Sequence, residues 1–144
     1  MTADPRVAIR ELRADDMPAA RTLLVAADLP VDDLADPAIT LQAAFDGDVL
    51  AGVIGLQRCG DAGLLRSLAV APEYRGSGIA RALCERVFEL SGNHELWLLT
   101  TTAHDYFTKL GFVAVPREQA PAAIRATAQF ASLCPASAHV MRRA

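Results

Sequence analysis

Apolar residues alternate with polar or small ones over residues 7–12 (Val7, Ile9 and Leu12 against Ala8, Arg10 and Glu11), the period-two pattern of a half-buried strand. Asp15 or Asp16 then opens a helix with Pro18 in its first turn, where a missing N–H costs little. Leu23, Leu24 and Ala27 form the apolar face of that helix, which stops near Leu29 and Pro30; residues 31–37 hold at most a short second helix. Residues 40–45 and 49–56 read as two strands joined by Asp46-Gly47-Asp48, a hairpin signal because glycine tolerates positive φ. A further turn at residues 59–63 leads into a strand over 64–70. The period then changes. Ile79, Leu83, Val87 and Leu90 recur at steps of four, four and three, one helical face that ends at Ser91-Gly92-Asn93. Residues 95–101 read as a compact buried strand, and 103–110 as a short helix closed by Gly111 in the left-handed region. Residues 112–115 and 138–141 give the last two strands, and the stretch between them shows helix-like spacing at Ile124, Phe130 and Leu133. This order predicts one α/β domain over residues 1–144, with a mixed sheet made antiparallel by the central hairpin, rather than a doubly wound fold.

Composition narrows the function. With 144 residues there is material for one core only, and a mean hydropathy of +0.22 excludes a disordered chain. A net charge of −3 argues against binding a nucleic-acid backbone. No apolar run approaches the roughly 20 residues that span a bilayer, and the charged start lacks a signal core, so a cytoplasmic location away from membranes is expected. Three cysteines (Cys59, Cys84, Cys134) cannot all pair and none stands in a C-x-x-C spacing; they read as reduced thiols, with no metal site expected.

The chemistry concentrates in Arg75-Gly76-Ser77-Gly78-Ile79-Ala80. A buried strand feeds this glycine-rich turn, which opens directly into the 79–90 helix. Short side chains let backbone N–H groups converge there, and the helix N-terminus adds partial positive charge, so the turn suits a diphosphate. It is not a dinucleotide fingerprint, because the third glycine is missing; nor is it a triphosphate loop, because the chain's one lysine is Lys109.

Those six residues match the [Q/R]-x-x-G-x-[G/A] signature of the GCN5-related N-acetyltransferases, the GNAT superfamily. Leu68-Ala69-Val70-x-Pro72 before the turn and Tyr106-Phe107-Thr108-Lys109-Leu110-Gly111-Phe112 after it resemble the same family. Within it the chain is similar to the acyl-transfer module of glutamate N-acetyltransferases. It is also similar to small arsenic-resistance GNAT proteins, at Leu64-Leu65-Arg66-Ser67-Leu68, Thr100-Thr101-Thr102-Ala103 and residues 131–138. The resemblance implies a GNAT fold: a mostly antiparallel sheet of six or seven strands, splayed between the fourth and fifth, with about four helices. It implies acetyl-CoA as co-substrate, held by Arg75, Gly76, Ser77, Gly78, Ile79 and Ala80 at the diphosphate, by Leu68, Ala69 and Val70 along the pantetheine arm, and by Thr101, Thr102, Tyr106 and Phe107 on the facing wall. It further implies direct attack by an amine on the thioester, with the Leu68 backbone N–H at the developing oxyanion and Tyr106 as the acid for the leaving thiolate.

Two departures shape the acceptor side. Many relatives carry a glutamate where Arg66 stands, and an arginine cannot serve as that base; its fork instead suits an acidic acceptor, with Ser67 and Thr100 beside it. The usual family tyrosine stands where Phe107 is, so Tyr106 lies roughly 100° round the helix from the expected place. Residues 116–137 are longer than an ordinary connection and read as a lid over the acceptor site, with Arg117 or Arg125 facing it. The expected function is transfer of acetyl from acetyl-CoA to the amine of a small acidic amino acid, or of a glutamate-like toxic mimic bearing arsenic or phosphorus. Alternatives are acetylation of a peptide N-terminus or other amine, and a non-catalytic acyl-CoA sensor. The partner expected is a small-molecule amine, with a homodimer left open.

Overall fold

The computed structural model of the protein describes residues 7–133 and 138–144. Seven strands form one sheet: β1 (Val7–Glu11), β2 (Ile39–Asp46), β3 (Val49–Cys59), β4 (Ala62–Val70), β5 (Glu95–Thr100), β6 (Val113–Ala114) and β7 (His139–Arg143). Their spatial order is β1-β2-β3-β4-β5-β7-β6, and β4–β5 is the one parallel pair among the described residues. The helices are α1 (Met17–Ala26), α2 (Ile79–Ser91), α3 (His104–Lys109) and the single turn α4 (Ala122–Arg125). Gly47 takes φ +60 between Asp46 and Val49, which pair across the hairpin as the Asp-Gly step predicts.

Alternate residues of the sheet serve two faces. Ile54, Leu65 and Leu98 pack with Ile79, Leu83 and Val87 of α2 and with Phe107 and Phe112. On the other face Val53 and Ala69 pack with Leu24 of α1, while Leu64, Trp97 and Val140 pack with Ile124 and Phe130. Every side chain named here is at least nine-tenths buried. At about 25 cal/mol per Å² of apolar area removed from water, such burial is the main force holding α2 to the sheet.

The structure refines three expectations. Residues 31–37 form hydrogen-bonded turns, not a helix: Pro30 and Pro37 bracket them, and the Asp36 carboxylate accepts from the Ala38 N–H. The helix-like spacing beyond Pro121 breaks into α4 and a π-type turn (Gln129–Leu133), with Thr127 Oγ accepting from the Phe130 N–H between them. The strand predicted at 112–115 keeps its register at Val113 and Ala114, with the Val115 N–H still donating to the Val140 carbonyl, but loses its first residue, because Phe112 is drawn into the core by an α3 end at Gly111 (φ +97). Cys134 and Ser137 lie outside the described residues.

Candidate acetyl-transfer site

β4 and β5 pair only where Ala62, Gly63 and Leu64 meet Glu95, Leu96 and Trp97. Beyond that the strands part, and the gap opens into a pocket of about 580 Å³. One wall is Leu65, Arg66, Ser67 and Leu68 of β4; the other is the end of β5 with Thr100, Thr101, Thr102 and Ala103, continued by Tyr106 and Phe107 of α3. The structure therefore brings together Arg66, Ser67, Leu68, Thr100, Thr101, Thr102, Tyr106 and Phe107, eight residues that the sequence singled out. It adds residues that sequence reasoning did not place there, among them Asp28 and Asp32 from the α1–β2 connection, and Gln129 and Ala138 from the far end of the chain. The segment expected as a lid divides in its placement. Gln129 reaches the pocket, whereas Arg117 turns away to stack on Phe130 and donate to the Phe130 and Ala138 carbonyls, and Arg125 is exposed outside the lining.

Ala69, Val70, Arg75, Gly76, Ser77, Gly78, Ile79 and Ala80 lie outside that lining and continue from it along β4 into the turn before α2. Gly76 (φ +80) and Gly78 (φ +86) both use the left-handed region, and a Cβ built on Gly76 would meet no protein atom within 4 Å. The turn is thus open on the side where its backbone faces out. Ser77 Oγ donates back to the Tyr74 carbonyl, and Arg75 Nε donates to the Val70 carbonyl at 3.3 Å. Ile79 is buried in the core and Ala69 under α1, so these residues offer a ligand their backbone, not their side chains. The first-turn N–H groups of α2 have no intrahelical acceptor, and the residues present fit the diphosphate of a coenzyme A.

The side chain of Arg66 differs most from its expected setting. It is fully buried, and its fork already holds a carboxylate: Nη1 and Nη2 each donate to Asp33 at 2.6 Å. Nη1 also donates to Gln57 at 2.9 Å, and Nε to the Ser67 hydroxyl at 3.1 Å. That last contact braces an irregularity. Between Val53↔Ala69 and Gly55↔Arg66 the strand β4 carries one residue more than β3, a bulge at which Ser67 takes φ +58. A left-handed non-glycine residue costs roughly 1–2 kcal/mol and persists only where neighbours hold it. The bulge breaks the β3–β4 ladder beside Leu68, so the backbone there faces the pocket.

Burial pushes the Tyr106 phenol above its ordinary value, with Cys84 nearby adding to the effect, so it keeps its proton through neutral pH. Its ring stands edge-on to Phe107, and both line the pocket despite the shift round the helix noted in the sequence. Thr100 Oγ accepts from the Ala103 N–H at 3.0 Å, which fixes the turn from β5 into α3. The Cys84 thiol is pushed up to about 12 by burial, and Cys59 is also raised, so neither offers a thiolate at neutral pH.

Residues 37–114 match the acetyltransferase (GNAT) domain family. The chain belongs to that family. This GNAT protein is similar in fold to N-acetylglutamate synthase from Neisseria gonorrhoeae complexed with coenzyme A and N-acetyl-glutamate (TM-score 0.81, 19% identity), covering 95% of this chain and 34% of that one. It is also similar to Rv2747 from Mycobacterium tuberculosis in complex with CoA and NLQ (0.79, 20%; 94% of this chain, 98% of that one). A third is a GNAT acetyltransferase from Staphylococcus aureus (0.80, 16%; 95% and 98%). The GNAT chain spans about a third of the length of the gonococcal synthase. No curated protein matches it by sequence. No helix among its described residues is long and apolar enough to cross a membrane.

Proposed function

We propose that this acetyltransferase acts as one domain on the amine of a small acidic amino acid, or of a glutamate-like toxic mimic bearing arsenic or phosphorus. The observation that carries the reading is the Arg66 fork, buried behind the pocket wall that Arg66 helps to form and already shaped around a carboxylate through two 2.6 Å hydrogen bonds. The acceptor's acidic group takes that place by exchange with Asp33. Fold similarity to proteins complexed with coenzyme A and N-acetyl-glutamate, or with CoA and NLQ, supports the same class.

Bound acetyl-CoA supplies the activated acetyl carbon. The turn from Arg75 to Ala80 grips the diphosphate through backbone N–H groups, and β4 beyond the bulge aligns the arm. The neutral amine forms the N–C bond as the C–S bond breaks; the nitrogen loses a proton to water and the sulfur gains one. The backbone N–H of Leu68, freed from the ladder by the bulge, faces the oxygen on which charge develops. Tyr106, held protonated, gives its proton to the departing sulfur and recovers one from water, which has taken the proton of the amine. Tyr106→Phe is expected to lower kcat about 100-fold, leave both KM values within about twofold and remove the alkaline limb of the kcat–pH profile. An unchanged kcat would take Tyr106 out of the acid role.

A second reading is acetylation of a cationic amine, favoured by the exposed carboxylates Asp28 and Asp32 in the pocket lining. Thiol release with acetyl-CoA and L-glutamate, L-aspartate, phosphinothricin, putrescine or a short peptide decides between them. Turnover confined to the acidic amines is expected. Arg66→Lys, which keeps the charge but loses the fork, should then raise KM for the acidic acceptor about tenfold or more, with KM for acetyl-CoA unchanged. Preference for putrescine would favour the second reading, and turnover of none would overturn both.

A further inference from the structure

The Oε1 of Gln129 is buried, has no hydrogen-bond partner among the described residues, and belongs to a residue 4% exposed that lines the pocket. A buried carbonyl oxygen left unsatisfied costs roughly 1–3 kcal/mol, so its place in the wall calls for a donor from outside the protein. The backbone around it is firmly held. Thr127 Oγ donates to the Ile124 carbonyl at 2.7 Å and accepts from the Phe130 N–H, Thr127 O accepts from the Ala131 N–H, and Arg117 clamps the Phe130 carbonyl and ring. Gln129 also begins the π-type turn, a distortion that single functional positions often carry.

We infer that Gln129 is a specificity-determining residue whose Oε1 accepts a hydrogen bond from the acceptor's amino group and so orients the attacking nitrogen. The inference rests on the acetyl-transfer reading of this pocket and deepens it. A carboxamide oxygen accepts from an ammonium or a neutral amine alike, yet cannot remove a proton at neutral pH. It therefore holds the nitrogen through deprotonation and leaves the lone pair free. The other polar groups that the new wall elements add, Asp28 and Asp32, are acceptors as well, which matches a site that receives an N–H donor. An alcohol offers a single hydrogen to such a wall, and an ether none; an amine still has one to give Gln129 after another has left.

The test compares Gln129→Met, close in volume but without the oxygen, and Gln129→Glu, which keeps an acceptor there. Steady-state kinetics use acetyl-CoA with whichever of L-glutamate, phosphinothricin and putrescine the wild type acetylates. Expected for Gln129→Met is a rise of at least about tenfold in KM for the amine, with KM for acetyl-CoA within about twofold and a melting temperature at or above wild type. Gln129→Glu is expected to restore KM for the amine and to move the acid limb of the kcat–pH profile to higher pH, because its charge favours the ammonium. Wild-type turnover with an unchanged amine KM in Gln129→Met would overturn the inference and leave the acetyl-transfer reading intact. No wild-type turnover of any amine would overturn that reading and the inference with it.

Discussion

Gly76→Val is expected to weaken coenzyme A binding by at least about 30-fold while lowering the stability of the free protein by only about 1–2 kcal/mol. The asymmetry follows from where the glycine sits. A Cβ at position 76 touches no protein atom within 4 Å, so the fold loses only what a β-branched residue pays at φ +80. The same Cβ projects into the open side of the turn, where the diphosphate must approach the backbone closely. Titration calorimetry with coenzyme A gives the first quantity and thermal unfolding without ligand the second. Over a chain of this length the stability loss is a shift of a few degrees. A dissociation constant within about threefold of wild type would place the diphosphate elsewhere and remove the turn from the donor site. Tight binding lost together with the fold would mean that Gly76 serves only the turn.

What could be read from the residues was local. The Asp46-Gly47-Asp48 hairpin, the face of α2 at Ile79, Leu83 and Val87, and the α3 end at Gly111 each follow from a few neighbouring positions, and each appears as expected. What escaped was set by contacts distant in sequence. The β4 bulge hides in Gly63–Ser67, a run buried throughout, where no alternation survives to reveal an extra residue. Arg66 was legible as unusual, but its partner Asp33 lies 33 positions away in a stretch that resembles a short helix on composition alone. Gln129 stands one place before Phe130 in a segment with apolar helical spacing, where one polar residue among several (Arg125, Thr127, Ser132) gives no sign that it faces a pocket. Its signal was the buried, unpartnered oxygen, a property of the folded chain.

Asp33→Asn is expected to act in opposite directions on stability and on acceptor binding. Arg66 is fully buried and keeps its charge, so removing the charge opposite leaves it uncompensated at a cost of about 3 kcal/mol, or about 10 °C in melting temperature. The effect depends on pH with a definite sign. The Arg66 guanidinium beside Asp33 holds its carboxyl below the usual carboxylate range in the folded protein. The folded state therefore binds that proton less readily than the unfolded chain does. The contribution is fully present above about pH 4, the unfolded value, and is lost as pH falls through the lower folded value. Denaturation at a series of pH values should show wild type and Asp33→Asn well separated at pH 7 and converging in acid. Acceptor binding should move the other way. If the acidic group of the acceptor exchanges with Asp33, an asparagine there is a weaker competitor for the fork, and KM for L-glutamate falls although the protein is less stable. A KM that rises in step with the lost stability would make Asp33 a brace for Arg66 and the Ser67 bulge alone, and would send the acceptor's acidic group to another part of the pocket.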